Sequence, residues 1–158
     1  MAAEHSPLAR ALGRLPSGLY IVTTKGPDGP LGFLGSFVQQ FGFEPPTVAV
    51  AIGKDRDHLA ATRESGTFAL NVLDPGSKHL MPPFFGKFDG DGPFDGLNAR
   101  DGQLGAPLLT DALAWLDCKV CGEHEVGDHV VVFGEVLGGE LAREGDPNVH
   151  LRKNGLSY

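Results

Sequence analysis

Short runs of β-branched and aromatic residues, separated by turns rich in glycine and proline, most limit the fold that this chain can adopt. Such runs are typical of strands, and the 23 glycines and 12 prolines favour many turns. The order of the runs predicts about six or seven antiparallel strands with few helices. The sequence therefore predicts a mainly β fold, either a barrel or a sandwich.

The predicted elements follow one another without a linker, and 41% hydrophobic content suits a single domain over residues 1–158. A first helix is predicted after Ser6, which can cap it, and stops at Pro16. A second begins at Asp55 or Asp57. Strands are predicted at residues 19–24, 31–41, 46–52, 67–73, 112–123, 129–141 and 149–158.

Residues 32–46 begin like a strand but are unusually polar and rich in glycine for a buried one. Ser36, Gln39 and Gln40 interrupt the apolar run, and glycine within a strand often marks close approach of backbone or ligand. One interpretation is a platform of backbone amides on which a flat ligand lies. The other is a glycine-rich edge strand with a β-bulge, which is the commoner reason for an isolated glycine.

Residues 74–105 are the least regular part of the sequence. Residues 84–94 within them are rich in glycine and contain four phenylalanines. A long irregular segment in a small domain is usually functional or disordered, and four aromatic side chains that need burial argue against disorder. We expect this segment to cover a ligand or a partner subunit.

Two charged turns are candidate sites. In the turn at residues 54–58, Lys54 and Arg56 stand at a predicted helix start, where free N–H groups would help to bind an anion. A solvated charged turn is the alternative. His129 follows Asp128 before a predicted strand, and because histidine titrates near neutrality it can serve either as a functional group or as a capping or surface residue.

Several other chemistries are disfavoured. Cys118 and Cys121 form a C-x-x-C, but residues three apart on a strand point to opposite faces, so we expect two separate thiols. His124 and His129 have no third ligand at a recognisable spacing, so no metal is expected.

The bulk properties of the chain argue against a nucleic-acid or membrane partner. A net charge of −7 argues against binding to nucleic acid or to an anionic membrane. The chain has no apolar run of transmembrane length and no signal-peptide pattern, so a cytoplasmic location is expected.

Five segments together resemble one known family. Residues 36–46, Ser-Phe-Val-Gln-Gln-Phe-Gly-Phe-Glu-Pro-Pro, resemble the S-F/W-V-x-Q-x-x-F-E-P-P segment of flavin reductase-like, FMN-binding split-barrel proteins. The likeness covers nearly the whole chain and is strongest to the flavin reductase module at the C-terminus of some photosynthetic flavodiiron proteins. The other matching segments lie in the family's order at residues 15–18, 111–118, 127–129 and 152–155, the last with Tyr158.

The resemblance implies a split β-barrel with a few short helices, usually a homodimer with FMN near the subunit interface. It also implies that the turn at residues 54–58 meets the flavin phosphate and that His129 is the catalytic residue. The residues expected to bind the cofactor are Leu34, Gly35, Ser36, Phe37, Val38, Gln39, Gln40, Lys54, Arg56, Phe85, Arg152 and Tyr158.

The function expected from the resemblance is an FMN-dependent flavin reductase or NAD(P)H oxidoreductase. NADH or NADPH would reduce the flavin, and electrons would then reach free flavin, oxygen or an acceptor protein. The sequence has no G-x-G-x-x-G after a strand, so the nicotinamide would not have its usual cradle. The alternatives are an FMN electron-transfer protein reduced by a redox partner and a flavin-free barrel used for interaction.

Overall fold

The computed structural model of the protein describes residues 6–158, which contain two α-helices and nine strands. The helices are α1 (Pro7–Leu12) and α2 (Asp57–Ser65). The strands are β1 (Tyr20–Lys25), β2 (Pro30–Gly35), β3 (Val38–Phe43), β4 (Pro46–Gly53), β5 (Thr67–Val72), β6 (Ala99–Asp101), β7 (Pro107–Leu109), β8 (Ala114–Val126) and β9 (His129–Leu141).

Seven strands form one antiparallel sheet in the order β2-β1-β5-β8-β9-β4-β3, and β6 pairs with β7 apart from it. β2 and β3 lie at opposite edges of the sheet, although only Ser36 and Phe37 join them in the chain. Three Cα steps span at most about 11 Å, whereas the edges of a flat seven-stranded sheet would be about 29 Å apart. The sheet therefore coils until its edges meet, and the predicted mainly β split barrel with short helices is confirmed.

The prediction of one strand at residues 31–41 is wrong, because this part of the chain is divided between the two edges of the sheet. β2 pairs with β1, with Gly35 opposite Tyr20, and β3 pairs with β4, with Val38 opposite Val50. Both halves have the composition of a strand, and no proline or Asn-Gly turn marks the point where the chain changes edge.

Residues 149–158 do not form the predicted last strand. Their pairing with the rest of the protein includes an isolated bridge between His150 and Ser17. Further along, the Gly155 N–H donates a hydrogen bond of 2.8 Å to the carbonyl oxygen of Ala9 in α1. The segment therefore packs on α1 and extends no sheet.

The two helices differ in how they begin. Ser6 caps α1 as predicted, because its hydroxyl accepts a hydrogen bond of 3.1 Å from the Ala9 N–H. The N-cap of α2 is Arg56, whose side chain makes no capping hydrogen bond. The predicted cap by Asp55 or Asp57 is therefore wrong. No helix within residues 6–158 is long and apolar enough to cross a membrane.

The irregular segment contains two 3₁₀ turns, Pro75–Leu80 and Pro82–Phe85. Phe84 and Phe94 pack edge to face with ring centroids 5.3 Å apart. They lie against a buried apolar cluster at one end of the barrel, whose members include Leu19, Ile21, Leu73, Leu80 and Leu109. Two of the four phenylalanines therefore have partners within the chain, while Phe85 and Phe88 are exposed.

The two cysteines are separate thiols, as predicted. Cys118 is buried in the main core and Cys121 is exposed, and neither forms a disulfide. Burial raises the pKa of the Cys118 thiol to about 12, so this sulfur stays protonated and is a poor nucleophile.

Candidate functional site

A groove of about 720 Å³, called the main groove below, lies beside the link between β2 and β3. One wall is the end of β2 with Ser36, a second is the 3₁₀ turn carrying Phe84 and Phe85, and a third is residues 150–158. Arg56, from the start of α2, also lines it. The groove exists because the coiled sheet brings its two edges together at this point.

The main groove is cationic in a chain whose net charge is −7. Arg56, Arg152 and Lys153 line it, and none of the described residues in its lining is acidic. Its other walls are largely apolar and include the rings of Phe33, Phe84 and Phe85. Such a lining suits a ligand with an aromatic part and a negatively charged part.

A narrow side pocket of about 20 Å³ adjoins the main groove. It is lined by residues 33–37 and 51–53, and it shares Arg56 and Tyr158 with the main groove. The link is fixed here because the Ala51 N–H donates a 2.9 Å hydrogen bond to the carbonyl oxygen of Phe37. Arg56, which follows β4 in the next turn, lines both cavities.

An aromatic cluster closes one end of the site. The Phe37 ring packs against His129 with centroids 5.5 Å apart and against Tyr158 at 5.6 Å. The guanidinium carbon of Arg152 lies 4.8 Å from the centre of the Phe37 ring, which is a cation–π contact. Both ring nitrogens of His129 are hydrogen-bonded. Nδ1 lies 2.7 Å from a carboxylate oxygen of Asp128, and Nε2 lies 2.8 Å from the Tyr158 hydroxyl.

The structure brings together a majority of the residues predicted to bind a cofactor. The main groove is lined by Leu34, Gly35, Ser36, Arg56, Phe85, Arg152 and Tyr158, and the side pocket adds Phe37. His129 lines neither cavity and contacts Tyr158, which lines both.

Lys54 is placed apart from its predicted partner Arg56. Its ammonium group forms an ion pair with Glu125 near the turn between β8 and β9, and it lines neither cavity. The pairing with Lys54 also keeps the pKa of the Glu125 carboxyl below its usual value, first through the hydrogen bond and then through the charge. Of the two cations predicted to bind a phosphate, only Arg56 faces the site.

Val38, Gln39 and Gln40 lie on a different surface from the main groove. They line a second groove of about 420 Å³ with residues of β1, β4, β5, β8 and β9. The Gln39 and Gln40 side-chain amides donate to the backbone carbonyls of Gln40 and Gly42 at 3.2 and 3.3 Å. The chain lines the main groove as far as Ser36 and leaves it before β3 begins.

Some residues in the lining had no specific signal in the sequence. They are Phe33, Phe84, His150, Asn154 and Ser157. The matching segment at residues 152–155 and the phenylalanine-rich segment pointed to two of the walls, but neither indicated which side chains face the cavity.

His58 is a second histidine close to the site. Its Nε2 makes a 3.0 Å hydrogen bond with the carbonyl oxygen of Gly32, and its ring packs edge to face on Phe33 at 4.9 Å. Its Nδ1 is buried without a hydrogen-bond partner among the described residues. Burial lowers the pKa of His58, outweighing the opposite effect of the hydrogen bond with Gly32. His58 is therefore held as a neutral ring behind the wall formed by β2.

The fold and the groove define a class of protein: a split β-barrel with a cationic, aromatic-lined site at the closure of its sheet. The chain belongs to the flavin reductase like domain family, whose family model matches residues 12–155.

Similar proteins agree with this assignment. Diflavin flavoprotein A 1 of Synechocystis sp. is 38% identical over 156 residues, which are 97% of this chain and 27% of that protein. The FMN reductase (NADH) RutF of Methylorubrum extorquens is 37% identical over 123 residues, 78% of this chain and 60% of that protein. The chain thus spans about a quarter of the length of the diflavin flavoprotein.

A solved structure gives the same fold. Nitrilotriacetate monooxygenase component B from Mycobacterium thermoresistibile superposes with a TM-score of 0.81 at 32% identity, covering 91% of this chain and 80% of that one.

Proposed function

We propose that this protein is an NAD(P)H-dependent flavin reductase that binds FMN in the main groove. The observation that carries the proposal is a groove of about 720 Å³ with three phenylalanine rings, the Tyr158 ring, three cations and no acidic residue among its described lining. Its volume lies within the range of about 300–1,000 Å³ that is usual for small-molecule sites. The related FMN reductase (NADH) of Methylorubrum extorquens supports the same choice of cofactor and of donor class.

The residues present fit FMN in both parts of the molecule. Arg56, with Arg152 and Lys153, offers positive charge to a phosphate that carries close to two negative charges. Residues 33–36 and Phe85 offer apolar and backbone surface to the flavin ring. When bound, FMN supplies the redox chemistry, while the chain provides orientation and electrostatics.

We also propose that the protein is a homodimer. β3 is an edge strand, and its Phe41 and Phe43 are 63% and 88% exposed. Large exposed apolar side chains on a sheet edge usually mark a contact surface. The second groove, which Val38 and Gln39 help to line, adjoins this strand, so the partner subunit would cover apolar surface on both.

The acceptor of the electrons is free flavin, oxygen or a protein. A protein acceptor is supported by relatives in which this domain is about a quarter of a longer diflavin flavoprotein. Free flavin is supported by a structural neighbour at 26% identity that is the flavin reductase component of a two-component tryptophan halogenase.

An anaerobic titration tests the proposed function. The protein is loaded with FMN, and the flavin absorbance is followed while NADH or NADPH is added. Bleaching by either nucleotide is expected. FMN that binds but is not bleached would show instead an electron-transfer protein reduced by a redox partner, and a protein that binds no FMN would refute both functions.

A further inference from the structure

His129 has both of its ring nitrogens engaged within the chain. Nδ1 lies 2.7 Å from a carboxylate oxygen of Asp128, and Nε2 lies 2.8 Å from the hydroxyl oxygen of Tyr158. The His129 side chain is only 17% exposed. No ring nitrogen of His129 is therefore free to meet a ligand in the main groove.

When the His129 ring is neutral, its partners fix the direction of both hydrogen bonds. The hydrogen bond from His129 lowers the pKa of the Asp128 carboxyl, so this group is an ionised acceptor at neutral pH and Nδ1 carries the proton. In the neutral ring Nε2 is then an acceptor, and the Tyr158 hydroxyl must donate to it. Burial raises the pKa of Tyr158, which keeps the hydroxyl proton in place for this bond.

Tyr158 stands between His129 and the cavities. It lines both the main groove and the side pocket, whereas His129 lines neither. Phe37 packs on both rings, with centroid distances of 5.5 Å to His129 and 5.6 Å to Tyr158. Arg152 in turn covers the Phe37 ring. Phe37 therefore packs against one side of the Tyr158–His129 pair and is itself held by Arg152.

Because the Tyr158 hydroxyl donates its proton to His129, its oxygen can only accept further hydrogen bonds. The Tyr158 oxygen therefore offers lone pairs to the groove and favours a ligand group that donates a hydrogen bond. The carboxamide of a nicotinamide is such a donor.

Resting on the proposed function, we propose that Tyr158 is the residue that contacts the nicotinamide donor, by accepting a hydrogen bond from its carboxamide N–H. His129 is a positioning residue that acts through Tyr158 and makes no direct contact with the donor. The family resemblance had implied that His129 is the catalytic residue.

A double-mutant cycle with two donors tests this assignment. Tyr158→Phe and His129→Ala are each expected to lower kcat/KM for NAD(P)H about tenfold, mainly through a higher KM, because each removes the same hydrogen-bonded contact. The double variant should lose no more than either single variant. Reduced 3-acetylpyridine adenine dinucleotide lacks the amide N–H, so wild type and Tyr158→Phe should use it equally well.

A spectroscopic measurement without flavin or nucleotide tests the hydrogen bonds themselves. In ¹⁵N NMR the neutral His129 ring should carry its proton on Nδ1 in the wild type. Tyr158→Phe should shift the Nε2 resonance, because Nε2 loses the hydrogen bond that it accepts, while the proton stays on Nδ1 beside Asp128. Tyr20→Phe removes the hydroxyl of the chain's other tyrosine and is the matched control. It should leave the His129 signals unchanged.

Each other result overturns the assignment. Multiplying effects in the double variant, a loss with His129→Ala alone, or an equal loss with the acetylpyridine donor would each show that Tyr158 does not carry the contact. So would an Nε2 resonance of His129 that Tyr158→Phe leaves unchanged. A wild-type protein that binds FMN but oxidises no NAD(P)H would instead refute the proposed function, and the assignment with it.

Discussion

Lys54 and Arg56 stand two residues apart in one turn, yet the structure gives them different partners. Lys54 is paired with Glu125 on the outside of the barrel, while Arg56 lines the main groove and the side pocket. The exposed ion pair contributes little to stability, about 0–1 kcal/mol. The two cations therefore allow the role of charge in the groove to be separated from the role of charge in the turn.

Arg56→Ala is expected to weaken FMN binding by roughly 10- to 100-fold, because it removes a charged hydrogen bond to the phosphate. Riboflavin, which lacks the phosphate, should bind Arg56→Ala and wild type equally. Fluorescence titration with both flavins measures the two dissociation constants.

Lys54→Ala is the matched control, and it should bind FMN like the wild type. If Lys54→Ala weakens FMN as much as Arg56→Ala does, or if Arg56→Ala loses riboflavin and FMN in equal measure, Arg56 does not hold the phosphate.

His58 is expected to make stability depend on pH. Burial places its folded-state pKa below the unfolded value of about 6.5. The unfolded chain therefore takes up this proton first, and the stability contributed by the neutral ring is present above that pH and lost as the pH falls through the folded pKa. Protonation would also place an N–H at Nδ1, which has no partner.

Urea unfolding at about pH 7.5 and pH 5 measures this effect. The wild type should lose more stability between the two than His58→Gln, which cannot take up a proton. His124→Gln, at an exposed position of β8, should follow the wild type. Equal losses in wild type and His58→Gln would show that His58 contributes nothing to the pH dependence.

The sequence indicated which residue types occur near the site better than it indicated where their side chains point. Arg56 and Arg152 were found because a cationic turn and a matching segment contain them, and both face the groove. Lys54 has the same signal and faces away, since its direction depends on Glu125, which follows it by 71 positions in the sequence. Long-range contacts of this kind leave no local pattern.

At the scale of elements, the wall formed by residues 150–158 depends on α1. Besides the bond from Gly155 to Ala9, the Arg14 guanidinium donates to the carbonyl oxygen of Arg152 at 3.0 Å. A Cβ on Gly155 would lie against Leu12 and only 2.6 Å from the backbone nitrogen of Gly13. Close approach of two backbones therefore requires glycine at position 155.

Gly155→Ala should push residues 150–158 away from α1 and so widen the main groove. We expect weaker FMN binding together with a loss of about 1–3 kcal/mol in the free energy of unfolding, as in other overpacked sites. Gly92→Ala is the control, because a Cβ there meets no atom within 4 Å. Calorimetry and FMN titration measure both effects, and an unchanged affinity in Gly155→Ala would show that α1 does not set the position of this wall.

Composition predicted the positions of the strands better than it predicted which strands pair. β5, β8 and β9 lie close to their predicted positions because apolar and β-branched residues recur along each of them and a glycine-containing turn separates β8 from β9. The run at residues 31–41 was assigned to one strand because Ser36 and Phe37 differ little from strand residues. Which edge a strand joins is decided by partners elsewhere in the chain, and composition carries no record of them.

At the scale of the whole molecule, the predicted dimer can be located by comparing two phenylalanines. Phe43 on edge strand β3 is 88% exposed, and Phe88 in the irregular segment is 40% exposed. Phe43→Asp should produce monomers, because it places a charge in an apolar contact, and Phe88→Asp should leave the dimer intact.

Sedimentation velocity at micromolar concentration distinguishes the two variants. If Phe88→Asp dissociates the dimer and Phe43→Asp does not, the interface lies at the phenylalanine-rich segment, residues 84–94. A monomeric wild type would refute the dimer itself.

The dependence of one groove wall on residues 150–158 also governs when the site can exist during synthesis. The nine strands found within residues 6–158 all precede residue 150, so the coiled sheet can form on the ribosome while the last wall is still inside the exit tunnel. A nascent chain at that stage would have a folded barrel with no complete groove. Cofactor loading would therefore become possible only once residues 150–158 have left the exit tunnel and packed on α1.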